Sequence, residues 1–391
     1  MSTPLTLDQQ EAVRGAPHGE ASPEGAKRRL LFLLPYPLHT VPGQRLKFEQ
    51  YFSAFEQAGY EVHVRCFFDD AFYRILYQPG RYLRKIVWTI RSYVRRWRDI
   101  REAPAYNVVY VHLWVAPFHP PIFEWLLRRA GRRLIYDIDD LIVLRHASRA
   151  NRFVKFLKGK WNIHYLMTVS DHVIVCTEYL KAYALRFNAH VTNISSTIDT
   201  TVYRPRPPDK ARGRLCIGWS GSHTTVEYVA LLQRVFEELR RRFDFYIKVI
   251  GHTRPPLSGL EVVAQDWRLA SEVEDLQEFD IGVYPLPRDE WVLGKSGLKA
   301  LQYMGLGIPT VATAIGATLE IIRDGENGFL ASSHEEWVQK LSQLIEDAEL
   351  RRRMGVNGRT TVEERYAIRV NAHRYLDILE RVEKVSVCPR G

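Results

Sequence analysis

The stretch Gly294 to Leu330, GKSGLKALQYMGLGIPTVATAIGATLEIIRDGENGFL, constrains the fold more than any other part of the chain. Helix, strand, helix and strand alternate within 37 residues, and glycine marks each change of direction. Ser296 can cap a helix running to about Gly305, with Leu298, Leu301 and Met304 on its inner face. Gly305 and Gly307 stop that helix. Ile308 to Ala312 reads as a short buried strand with Pro309 near its start. Thr318 can cap the next helical turn, and Asp324 to Gly328 turns the chain into Phe329 and Leu330. The chemistry lies at the start of the first helix, whose amides and positive dipole end attract an anion. Lys295 and Lys299, four residues apart, put two cations on the same side of that end. The arrangement suits a diphosphate; the plain alternative is that both lysines reach past the helix into water.

That string resembles the donor-binding motif of the family-4 retaining glycosyltransferases (glycosyl transferases group 1). The matching residues are Lys299, Leu301, Met304, Gly307, Pro309, Val311, Ala312, Thr313, Gly316, Glu320, Asp324, Gly325, Asn327, Gly328 and Phe329. The resemblance runs from Leu30 onward and is strongest after Leu215. It implies a GT-B architecture: two Rossmann-like doubly wound α/β domains facing a central cleft, with a C-terminal helix crossing back. It also implies a nucleotide sugar as co-substrate, and neither a cofactor nor a metal. The family usually carries two glutamates eight positions apart that hold the donor's sugar and ribose. Here those positions are Gly294 and Gln302. Gln302 can still hydrogen-bond ribose hydroxyls. Gly294 cannot reach a sugar hydroxyl, so that role is vacant or passes to Lys295. The donor-binding set implied is Gly43, Gly221, Ser222, His223, Lys295, Ser296, Lys299, Gln302 and Glu320, with Lys295 and Asp139 catalytic.

The length of 391 residues fits about two domains, each with its own core. The net charge of +10 is uneven: residues 1–200 carry all of the excess, and residues 201–391 are neutral. Something acidic is expected to meet the first half. Cys66, Cys176, Cys216 and Cys388 lack a metal-ligand spacing, and the first three sit in apolar runs, as buried thiols in a reducing compartment would. No apolar run approaches membrane-spanning length and no signal-peptide core is evident, so a cytoplasmic protein is expected.

Residues 1–27 read as a disordered tail, 28–203 as the acceptor-side domain, 204–213 as linker, 214–365 as the nucleotide-sugar domain, and 366–391 as the returning helix and tail. Strand Arg29 to Pro35, a loop, a helix from Gln44 to Ala58 and a strand at Glu61 to Cys66 form the opening unit of a doubly wound sheet. Gly43 falls at its loop-to-helix junction, where a backbone can approach a phosphate; a simple turn is the alternative. Strands Asn107 to His112 and Arg133 to Asp137 follow, the second running into Asp137, Asp139 and Asp140. Three carboxylates at a strand end suggest a metal site or catalytic cluster, or else a loop and a helix cap. By resemblance Asp139 falls where many family members have a histidine near the reacting sugar, whereas His112 reads as structural. In the second domain, strand Leu215 to Trp219, the loop Ser220 to His223 and a long helix repeat the anion-seat pattern. Ser271 with Glu274, and Ser333 with Glu336, are spaced as capping boxes.

Arg81 to Arg101 stands outside the alternation. Leu83, Ile86, Val87, Ile90, Tyr93, Val94 and Trp97 fall within one helical arc, with Arg81, Arg84, Lys85, Arg91, Arg95, Arg96 and Arg98 opposite. Such a helix fits the surface of an anionic membrane; the alternative is a domain helix whose apolar arc is core. The function expected is transfer of a sugar from a nucleotide-diphosphate donor to a lipid-linked or cell-surface polysaccharide or glycolipid acceptor. The alternatives are a sugar-nucleotide epimerase of the same fold and a nucleic-acid-binding protein.

Overall fold

The computed structural model describes residues 28–384, apart from 77, 79, 119, 131–132, 140–160, 208–212 and 223. The expected N-terminal tail, His223, Asp140, Cys388 and part of the linker therefore lie outside the described residues.

Near-continuous apolar runs such as RRLLFLL are what strands buried on both faces require, and they build two parallel sheets. The first contains β1 (Arg28–Leu34), β2 (Tyr60–Cys66), β3 (Val108–His112), β4 (Arg133–Asp137), β5 (His172–Val175) and β6 (Val191–Asn193). Its order is β2-β1-β3-β4-β5-β6. The second contains β7 (Leu215–Ser220), β8 (Phe245–Ile250), β9 (Val262–Gln265), β10 (Ile281–Tyr284), β11 (Thr310–Thr313) and β12 (Phe329–Ala331), in the order β12-β11-β10-β7-β8-β9. This is the expected pair of doubly wound domains. Each sheet reverses its winding once, between β1 and β3 and between β7 and β10. Ligands of such sheets bind in the crevice at that switch, outside the carboxyl ends of the strands. Gly43 and His112 stand at the first switch, and Gly221 and the loop leading to Lys295 at the second.

The helix Ile368–Lys384 returns to the first domain, as expected. Tyr375, Ile378, Leu379 and Val382 pack with Leu30, Phe32 and Tyr110. A bridge between Ile198 and Ala367 ties the two crossings of the chain together.

Local expectations fail where packing overrides pattern. The helix expected over Gln44 to Ala58 is three pieces: Pro42–Arg45, a 3₁₀ turn Glu49–Tyr51, and Phe52–Gln57. Leu46, Lys47 and Phe48 are all buried, and three consecutive residues cannot share the inner face of one α-helix. The long helix after Ser222 opens as a 3₁₀ segment, Val226–Leu232, before Gln233–Arg240. Val226, Val229 and Leu232 are buried three residues apart, the period of a 3₁₀ helix. Ser333 caps as expected, accepting from the Glu336 amide, but Ser271 instead donates to the Asp275 carboxylate.

The basic helix is inverted relative to a core helix. It spans Tyr82–Glu102, and Leu83 (81% exposed), Ile86, Val87, Ile90 (58%), Val94 and Trp97 (45%) face solvent. Arg96, from the expected polar side, is fully buried and donates to the Leu34 and Arg65 carbonyls. Arg95 reaches Asp69 and the Phe67 carbonyl.

Candidate active site

The helix Leu298–Gly305 starts one residue later than Ser296 would place it. Its N-cap is Gly297, with φ of 70°, and a Cβ there would strike Ile321. Only glycine meets both conditions. Ser296 is turned across the cleft instead, its hydroxyl 2.8 Å from that of Ser196 in the first domain. Tyr303, in the last turn of the helix, accepts from the Ser220 amide at 2.8 Å, anchoring the helix to the end of β7. Lys295 stands 3.9 Å above the Trp291 ring, and Trp291 donates to Tyr228 beyond the Gly221 loop. Lys299 lies over Tyr284, and its ammonium is pushed down to about 7 by burial and by the like charge of Lys295. The Lys299 side chain is half-buried. An anion at this end would relieve both effects.

Gln302 is buried, and its amide donates to Tyr203 at 3.1 Å and to Glu272 at 3.2 Å. Glu272 also accepts from Trp267 and Tyr203, and pairs with Arg45 of the first domain. The donors expected to meet a ribose are therefore engaged in an interdomain network. Gly221 ends β7 where a Cβ would strike Trp219, and it abuts Gly251. Ser222 is exposed, its amide held by Thr225 in a turn that precedes a 3₁₀ rather than an α-helix. Thr318 does not cap the helix Thr318–Ile321: its hydroxyl donates to the Thr313 carbonyl, and the N-cap is Ala317.

On the other wall, Gly43 and Asp139 meet. A Cβ on Gly43 would lie 2.5 Å from an Asp139 carboxylate oxygen. The expected acidic cluster is split. Asp137 is wholly buried in an ion pair with Lys47, whereas Asp139 remains partly exposed. Burial raises the Asp137 carboxyl, but Lys47 and His112 outweigh it and hold the carboxylate below its ordinary range. Among the described residues no cluster has the ligands for a metal ion. Cys176, at the end of β5, donates to the Asp139 carbonyl at 3.1 Å and lies 3.3 Å from the Gly294 carbonyl. That thiol brings the Asp139 wall against the residue before Lys295. Cys66, Cys176 and Cys216 form no disulfide.

Glu320 lines a separate part of the cleft, a cavity of about 740 Å³ bordered by Cys176, Glu178, Ser195, Arg365 and Arg374. Burial pushes its carboxyl up. Lys47, Cys176 and Glu272 were not legible as site residues. Each acts through a neighbour distant in sequence, and only the glycine at 43 signalled a close approach.

Residues 214–347 match the family described as Glycosyl transferases group 1. EpsD of Bacillus subtilis (strain 168), named as a glycosyltransferase, is 24% identical over 343 residues, covering 80% of this chain and 87% of that protein. The D-inositol 3-phosphate glycosyltransferase of Corynebacterium diphtheriae is 30% identical over 155 residues, covering 39% of this chain and 30% of that protein. Among solved structures, HepE of Anabaena in complex with UDP and glucose superposes with a TM-score of 0.64 at 16% identity, covering 90% of this chain and all of that one. Sucrose-phosphate synthase of Thermosynechococcus elongatus gives 0.66 at 15%, covering 92% and 100%. The fold is GT-B, and the similarity to glycosyl transferases group 1 lies in the second domain.

Proposed function

We propose that this chain transfers a sugar, with retention at the anomeric carbon, from a nucleoside-diphosphate donor to a lipid-linked or cell-surface polysaccharide or glycolipid acceptor. The observation that carries the reading is the pairing of Lys295 and Lys299 at the start of the helix Leu298–Gly305. Burial and mutual repulsion both work against the Lys299 charge, so the site is poised for an anion. The departing diphosphate of a nucleotide sugar is such an anion, and its charge grows as the bond to the sugar breaks. Asp139, across the cleft, would face the positive charge that develops on the sugar. No step calls on a metal. UDP and UDP-glucose complexes of the structural neighbour HepE support the donor class.

The basic helix supports an acceptor held at the inner face of the cell membrane. No helix among the described residues is long and apolar enough to cross a membrane. The exposed stripe from Leu83 to Trp97 continues through Phe123, whose ring meets Trp97, to exposed Ile122 and Trp125 on the helix Ile122–Arg129. Arg84, Arg91 and Arg98 remain exposed beside it. Tyr93 on the same helix accepts from the Phe118 amide in the loop that leaves β3, so the stripe adjoins the cleft end of the first sheet.

Thermal stabilisation by a panel of UDP-, GDP- and ADP-sugars tests the donor; no shift with any of them refutes the reading. Flotation with anionic vesicles tests the surface. Replacing Arg84, Arg91 and Arg98 by glutamine should release the protein, and replacing Ile90 and Val94 by serine should do so with little change in melting temperature. Unaltered vesicle binding in both variants removes the membrane from the proposal.

A further inference from the structure

Lys295 belongs to the second domain, yet the segment that carries it is held by the first. The 3₁₀ turn Glu290–Gly294 leads into Lys295, and the Asp289 carboxylate accepts from the Trp291 amide at its start. The Lys295 amide closes the turn on the Val292 carbonyl. At one end of this segment the Tyr179 hydroxyl donates to the Glu290 carboxylate at 2.8 Å. At the other end the Ser196 and Ser296 hydroxyls stand 2.8 Å apart, and Ser195 donates to the Ser296 carbonyl at 3.4 Å. Between them the Cys176 thiol reaches the Gly294 carbonyl. Tyr179 projects from the helix Glu178–Ala184, whose start is fixed by Thr177 accepting from the Leu180 amide. Ser196 is buried just beyond β6. These contacts lie past the carboxyl ends of β5 and β6, where a doubly wound sheet offers its loops to a ligand. Here they meet the other domain's loop instead. A contact at one end would leave the segment free to pivot; contacts at both ends fix where Lys295 points. Within the second domain Trp291 supports the ammonium and is itself tied to Tyr228, which places the side chain but not the segment's distance from Asp139.

We propose that Tyr179 and Ser196 are positioning residues for Lys295. By holding Glu290 and Ser296 they set the Lys295 ammonium against the departing diphosphate. Placement matters for such a group, because a displacement of about 1 Å can slow a reaction by about 10²-fold. The first domain therefore contributes to the donor seat without touching the donor. The inference rests on the transferase reading above.

The test measures release of nucleoside diphosphate from whichever UDP-, GDP- or ADP-sugar the protein turns over, with water as acceptor. Tyr179→Phe, Ser196→Ala and the two together are compared in the wild-type and Lys295→Ala backgrounds, each with its melting temperature. In the wild-type background each single change should lower kcat about fivefold and the pair about 20-fold, with donor KM within about twofold. In the Lys295→Ala background the same pair should cost less than about twofold, because the residue it positions is gone. Simple adhesion between the domains would be lost to the same extent in both backgrounds. Tyr179 is exposed, so Tyr179→Phe carries the comparison if Ser196→Ala does not fold. Equal losses in the two backgrounds, losses that fall on donor KM rather than kcat, or a Tyr179→Phe protein as fast as the wild type overturn the proposal. A wild-type protein that turns over none of the sugars overturns the transferase reading itself, and the proposal with it.

Discussion

The ionisation of Lys299 gives the site a pH dependence whose sign and size follow from its surroundings. In the ligand-free protein burial and Lys295 push its ammonium down to about 7. A diphosphate beside it favours the charged form and should return it toward the ordinary value of about 10.4. Below pH ~7 the lysine already carries its proton and affinity for a nucleoside diphosphate is complete. Above it, binding must take up a proton, and affinity falls about tenfold per pH unit. Between pH 6 and pH 9 the loss should reach about 90-fold, about 2.7 kcal/mol. Fold stability runs the other way. The unfolded chain binds the extra proton between pH ~7 and ~10.4, so the ligand-free fold gains stability as pH rises through that window. Calorimetric titration with UDP, or with whichever nucleoside diphosphate stabilises the protein, measures the profile. Ionisation of the ligand's terminal phosphate, near pH ~6, is common to all variants and cancels in their ratio. Lys299→Arg stays charged across the range and should lack the fall. Coincident profiles for wild type and Lys299→Arg would refute the argument.

Lys295→Ala should slow turnover by about 10²-fold or more without lowering the melting temperature, through loss of a charge-assisted contact to the leaving group; unchanged turnover would leave the lysine an aromatic-stacked surface cation. Gly43→Ala places a methyl against the Asp139 carboxylate and should depress kcat more than stability, which paired melting and rate measurements will separate. Activity should survive chelation by EDTA; its abolition, with rescue by manganese or magnesium, would restore a metal role to the Asp137 to Asp140 segment.

Much of the architecture is written locally. Runs such as Leu30–Leu34 and Val108–Val111 read as strands covered on both faces, and glycines at 59, 305 and 307 mark helix ends. The motif from Gly294 to Leu330 likewise encodes the helix Leu298–Gly305 and the two lysines at its start. The site's other half depends on neighbours that no local pattern encodes. Lys47 sits in an ordinary-looking segment, and only sheet pairing shows that it neutralises Asp137 ninety residues away. His112 and Asp139 read as separate strand ends until β3 and β4 lie side by side. Gln302 is expected from the motif to meet a ribose, yet Glu272 and Tyr203 claim its amide. The helix Tyr82–Glu102 makes the point most plainly. Periodicity gives an apolar arc but no direction in space, and the same arc serves a core or a surface. The direction was decided when Arg96 found the Leu34 and Arg65 carbonyls and Asp99, because a buried guanidinium with partners costs far less than one without. That inward arginine turned Leu83, Ile90 and Trp97 outward.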